Sequence, residues 1–166
     1  MKKNKFYLLA MMLMAMLCIS FVSCDKEDLQ IEGDDDEEIT GEGLVGTWKF
    51  VSVVNYYKDE SRKPEKVDYT QYDSLYKLFY KFNENGTGKL YEWEKGDGWY
   101  VDPFNYTFDG KKIIAPENEG DTEIDVVKLT STELIIRADE DLDDEDVAYM
   151  EQTYKRVSES AVADAE

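Results

Sequence analysis

From Leu44 onward, apolar and polar residues come in short runs separated by turn residues. Trp48, Phe50, Ser52, Val54 and Tyr56 alternate with Lys49, Val51, Val53, Asn55 and Tyr57. This period of two predicts a strand that is β-prone on both faces. The polar stretch Lys58 to Lys66 follows and contains Pro64; the longest loop is expected over Lys58 to Ser74. Tyr76 to Phe82 and Thr87 to Trp93 are aromatic-rich runs around Asn83-Glu84-Asn85-Gly86, and Asn-Gly between such runs predicts a hairpin. Lys95-Gly96-Asp97-Gly98 is a second turn and Asp109-Gly110 a third. The strand expected between them, Trp99 to Phe108, contains Pro103, which suits an edge position or a bulge. Lys111 to Ala115, Asp121 to Leu129, Glu133 to Ala138 and Val147 to Val157 complete a set of about eight strands. No long helical pattern occurs. The expectation is an all-β, antiparallel up-and-down meander, closed into a barrel or folded as a sandwich, since closure removes exposed strand edges.

Residues 1–43 read differently. Lys2, Lys3 and Lys5 precede an apolar run from Phe6 to Leu17, and a small residue, Ser23, precedes Cys24. A basic start, a short apolar stretch and a small residue at a boundary are the parts of a secretory signal over 1–23. The run is only marginally long enough to span a membrane. Composition then switches abruptly to Asp25-Lys26-Glu27-Asp28, and residues 25–43 hold ten acidic side chains and one Lys. Such a segment buries too little to offset its ordering entropy and is expected to act as an extended linker over 24–43. The folded domain is expected over 44–157, with a polar, frayed tail over 158–166.

Charge and composition narrow the chemistry. Loss of the signal would remove three of the 19 basic residues and none of the 38 acidic ones, leaving a net charge of −22. That charge repels phosphate, so nucleic acid is excluded as a partner. The chain has no His, which removes Ser-His-Asp and Cys-His catalysis and imidazole metal sites. Of the two cysteines, only Cys24 would survive processing, so no internal disulfide is expected.

Phe21-Val22-Ser23-Cys24 resembles a bacterial lipobox. The resemblance implies cleavage after Ser23 and a diacylglycerol thioether on Cys24, which becomes the acylated N-terminus. Each buried acyl methylene contributes about 0.8 kcal/mol, so a multiply acylated Cys anchors stably. Acidic residues soon after the lipidated Cys resemble surface-export signals of some Gram-negative lipoproteins. An Asp directly after the Cys implies inner-membrane retention in others. The outer membrane, with the cell surface as one destination, is the expected location.

Gly46-Thr47-Trp48 at the first strand and Tyr154-Lys155-Arg156-Val157 on the last resemble the lipocalin pattern, specifically the lipocalin-like (calycin-type) domains of Gram-negative lipoproteins. The resemblance implies that Trp48 plugs the closed end of a barrel after Gly46 and that Arg156 packs over its ring. It also implies a non-catalytic protein that holds a small hydrophobic ligand; a monomer without a cofactor is expected. The nine residues after Val157 are too few and too polar for the helix that flanks many such barrels.

Further candidates carry their own alternatives. Tyr91, Trp93, Trp99 and Tyr100 flank one hairpin; facing outward they would stack on a glycan or a partner protein, facing inward they are core. Asp139, Asp141 and Asp143 alternate like the start of a calcium loop. Asp144 stands where a Gly is wanted, and Met150 where a Glu is wanted, so a solvated acidic loop is the better reading. Paired carboxylates could serve a glycosidase, but none stands out from the acidic background. The long loop Lys58 to Ser74 would sit at the open mouth, as a connector or a gate.

Overall fold

A computed structural model describes residues 41–117, 120–138 and 146–165. The signal segment, Cys24, most of the acidic linker and the Asp139, Asp141 and Asp143 candidates lie outside the described residues.

The described chain is one antiparallel meander. A short helix, α1 (Gly41–Leu44), leads into β1 (Gly46–Tyr57) and β2 (Glu65–Asp68), a 3-10 turn (Thr70–Tyr72), then β3 (Tyr76–Phe82), β4 (Thr87–Glu94) and β5 (Gly98–Asn105). β6 (Thr107–Phe108), β7 (Lys112–Glu117), β8 (Gly120–Leu129), β9 (Glu133–Ala138) and β10 (Val147–Val157) follow, and a 3-10 segment spans Glu159–Ala165. The sheet runs β5-β4-β3-β1-β10-β9-β8-β7-β6, with β2 added to β1. First and last long strands pair from Thr47↔Val157 to Tyr57↔Val147. The two ends of the sheet, β5 and β6, are consecutive pieces of one chain segment, so the sheet rolls into a nearly closed barrel.

Ten strands stand among the described residues where about eight were expected, for two physical reasons. Glu65–Asp68 lies within the expected loop but pairs with Ser52 to Asn55 of β1, beyond the reach of β3. The single strand expected over Trp99 to Phe108 breaks at Tyr106. That residue turns aside to the β3–β4 turn, donating its N–H to Gly86 O (2.8 Å) and its hydroxyl to Asn83 O (2.8 Å). The Asn-Gly turn itself forms as expected, with Gly86 at φ 76°.

The inner face carries the main core: Trp48, Phe50, Leu78, Phe82, Leu90 and Tyr154, with Ile113, Leu134 and Ile136 from the far wall. A β-bulge at Val51 changes which residues of β1 face inward. Val53 therefore joins Trp48 and Phe50 in the core, in place of the unbroken Trp48-to-Tyr56 face that alternation predicts.

A second cluster lies outside the barrel. Phe79 and Tyr91 occupy the opposite face of β3 and β4 from Leu78 and Leu90, yet both are buried. Val162 of the C-terminal 3-10 segment, itself 0% exposed, covers them. The tail expected to fray is thus docked, because one Val and neighbouring alanines find an apolar outer patch to bury.

Candidate functional site

The closed end is built from three consecutive carbonyls. Arg156 donates from its two Nη atoms to Gly43 O and to Val45 O (2.6 Å for the latter), and the Trp48 indole N–H donates to Leu44 O (2.8 Å). The Arg156 guanidinium lies 4.3 Å from the centre of the Trp48 ring. Trp48 is fully buried. Among the described residues no carboxylate pairs with the guanidinium, and burial lowers the affinity of Arg156 for its proton. Carbonyl dipoles and the indole face take up the charge. Gly46 lies between these groups at φ 138°, and a Cβ there would stand 2.4 Å from Arg156 Nη1. Gly46, Trp48 and Arg156 therefore meet at one place, and the geometry there is that of a plug.

Above the plug the barrel is filled largely by its own side chains. Phe50, Tyr80, Phe82, Phe104 and Tyr154 form a network with neighbouring ring centroids 5.5 to 6.0 Å apart. A void of about 20 Å³ remains. Tyr80, Phe82 and Phe104 form one wall, and Ile113, Ala115, Ile124, Leu134 and Ile136 form the other. Among the described residues no polar atom lines it. Gly88 seats Phe104 there: a Cβ on Gly88 would meet the Phe104 ring at 2.3 Å, so only glycine lets that ring lie against β4. The void has room for about one water and offers it no hydrogen bond.

Toward the mouth the interior becomes polar. Tyr154 donates its hydroxyl to Gln152 Oε1 (2.7 Å). Glu92 shares the inward face of β4 with Leu90 and is hydrogen-bonded to Tyr76. Burial raises the carboxyl of Glu92 above its ordinary range and Glu94's charge adds to this, while the Tyr76 hydrogen bond acts in the opposite direction. The hydroxyls of Tyr76, Tyr80 and Tyr154 are all pushed up, chiefly by burial. Tyr69 follows β2 and closes over this region: its N–H donates to Val51 O (2.8 Å) and its ring packs 4.8 Å from Phe50. The long expected loop is thus partly strand and partly a plug of the mouth.

The four candidate aromatics do not form one platform. Tyr91 is fully buried beneath Val162 and cannot meet an external ligand. Trp93 and Trp99 are cross-strand partners on the outer face, both half-buried. Trp99 packs 6.0 Å from Phe79 and Lys77 Nζ lies 5.1 Å from the Trp93 ring. Tyr100 points to the opposite face and is 40% exposed. An open groove of about 470 Å³ at the closed end, lined by Val45, Gly46, Phe82 and Asn83 to Asn85 with Glu159, lies outside the barrel. Its larger volume is surface relief, so the carbon-walled interior is the more specific feature.

The residues around the void went unmarked in the sequence. The alternation Tyr76, Leu78, Tyr80, Phe82 was the available signal, since it assigns one inward face to β3.

A family model described as a lipocalin-like domain matches residues 44–136. Among solved structures, a lipocalin-like protein from Bacteroides uniformis is similar at 18% identity and a TM-score of 0.46, over 69% of this chain and 99% of that one. An uncharacterized protein from Bacteroides eggerthii is similar at 16% identity and 0.43, over 68% and 98%. The siderocalin Ex-FABP, described as functioning through dual ligand specificities, is similar at 13% identity and 0.40, over 73% and 80%. No curated protein matches the chain.

Proposed function

Because the chain belongs to the lipocalin-like domain family, we propose that it is a non-catalytic binding protein of the cell envelope, anchored through acylated Cys24, whose barrel takes up a small apolar ligand. The observation that carries this reading is the interior void walled wholly by carbon at the centre of the barrel. Small-molecule sites usually have volumes of about 300 Å³ or more. Uptake into a void of about 20 Å³ therefore requires the interior rings to swing aside. Phe104, half-buried on an edge strand, is the ring with most freedom to do so.

The anchor follows from the run Phe21-Val22-Ser23-Cys24 and the compositional break after it. The acidic segment 25–43 would then space the barrel from the outer membrane.

Two experiments test the two halves. Native mass spectrometry of protein gently extracted from its own envelope is expected to show a population heavier by one small neutral molecule. A chain carrying only its acyl groups, and taking up no neutral apolar probe, would overturn the binding half. Cys24→Ser is expected to move the protein from the membrane pellet to the soluble fraction. Persistence in the pellet would overturn the anchor.

A further inference from the structure

Among the described residues, the two ends of the sheet leave an unpaired seam between β5 and β7. β6 fastens its lower end through Thr107↔Ile114 and Phe108↔Ile113, and no β5–β7 pairing continues above that point.

Backbone direction explains why the ladder stops. Lys112 O accepts from Asp109 N, on the side away from β8, whereas Lys111 O accepts from Val126 N of β8. By alternation along β7, residues 112, 114 and 116 direct their N–H and C=O positions into the seam. On the other side, Thr87 O accepts from Asn83 N and Gly86 O accepts from Tyr106 N. Alternation then sends Gly88, Leu90 and Glu92 toward β5, where they pair with Phe104, Asp102 and Tyr100. Trp99, Val101, Pro103 and Asn105 are left facing the seam. Continuing the register beyond Thr107↔Ile114 sets Asn105 opposite Pro116, where one of the two hydrogen bonds has no donor. Two residues further along β5 stands Pro103, also without a donor. Two of the three prolines in the chain thus point their nitrogens into the gap between the two ends of the sheet.

The void lies directly behind. Phe104 comes from the β5 edge, and Ile113 and Ala115 come from the β7 edge; these three line both the seam and the void. The mouth, by contrast, is covered by Tyr69.

We propose that the proline-flanked seam between β5 and β7 is a lateral gate, through which a slender, uncharged aliphatic ligand enters the void as the Phe104 ring swings out. This rests on the reading of the barrel as ligand-binding and adds its entry route and ligand class. Aliphatic side chains on the β7–β9 wall and the lack of any lining polar atom favour a hydrocarbon chain. A sheet edge held open by prolines separates without breaking ladder hydrogen bonds, so the gate opens at low cost.

The test uses N-phenyl-1-naphthylamine, a neutral apolar probe that fluoresces when buried, and the full chain. Asn105→Cys/Pro116→Cys places two exposed positions opposite each other, where a disulfide would pin the seam. Probe uptake is expected to slow at least tenfold in the oxidised form and recover on reduction. Long-chain alcohol should compete with the probe in the reduced form. Pro103→Thr/Pro116→Thr restores both donors without a disulfide, and slower uptake with new amide protection at positions 103 and 116 is expected. Equal uptake rates in wild type, the oxidised pair and the threonine pair would overturn the gate while leaving binding intact. A wild-type chain that takes up neither this probe nor a long-chain alcohol, the latter read by native mass spectrometry, would instead overturn the binding reading on which the gate rests.

Discussion

Gly46 illustrates how narrowly the closed end is specified. Its φ of 138° suits glycine, and any Cβ would press on the Arg156 guanidinium. Gly46→Ala is expected to cost about 1–3 kcal/mol, from backbone strain and the displaced guanidinium, read as a lower urea midpoint with an unchanged m-value. Glu92 makes the opposite case, a charge that burial penalises. Its folded-state carboxyl titrates above the unfolded value, so its favourable contribution is complete below the unfolded value and is lost as pH rises through the folded one. Glu92→Gln should therefore be more stable than wild type at pH 7, with the gap closing toward pH 4. Partial access to solvent limits the gain to at most about 1 kcal/mol. Thermal melts at the two pH values check it. The Gly46, Trp48 and Arg156 positions were legible in the sequence because a short motif marks them at both ends of the domain. Glu92 was not, because Tyr91 and Trp93 make the other face of β4 look like the inner one.

At the scale of elements, that misdirection has a cause. The outer face of β3 and β4 is apolar because the segment Glu159–Ala165 covers it, and Val162 supplies the contact. The tail carries a single large apolar residue, so periodicity gives no hint that it docks. Val162→Ala is expected to lower stability by about 2 kcal/mol, and removal of the tail after Val157 should do so more strongly. Calorimetric melts measure both, and a tail that merely frays would leave them unchanged. Pro103, by contrast, told its position correctly: β5 is an edge of the sheet, with the proline nitrogen facing outward. The break at Tyr106 was hidden because it depends on that side chain reaching Asn83, 23 residues away.

For the whole molecule, alternation and turn chemistry were enough to anticipate an antiparallel meander, barrel or sandwich, and the resemblance carried by Gly46-Thr47-Trp48 and Arg156 added the meeting of β1 with the last strand. Sequence could not show how full that barrel would be, since filling depends on which aromatic rings interdigitate across it. On the proposed function, the carbon-walled void makes a neutral apolar compound the ligand to test. The most direct test of that claim is an equilibrium titration of N-phenyl-1-naphthylamine into wild type and Ala115→Val, whose added methyls occupy the void. Saturable one-to-one binding to wild type, weakened at least tenfold in Ala115→Val with the fold retained, is the expected result. Equal binding to both chains would place the ligand elsewhere and contradict the account.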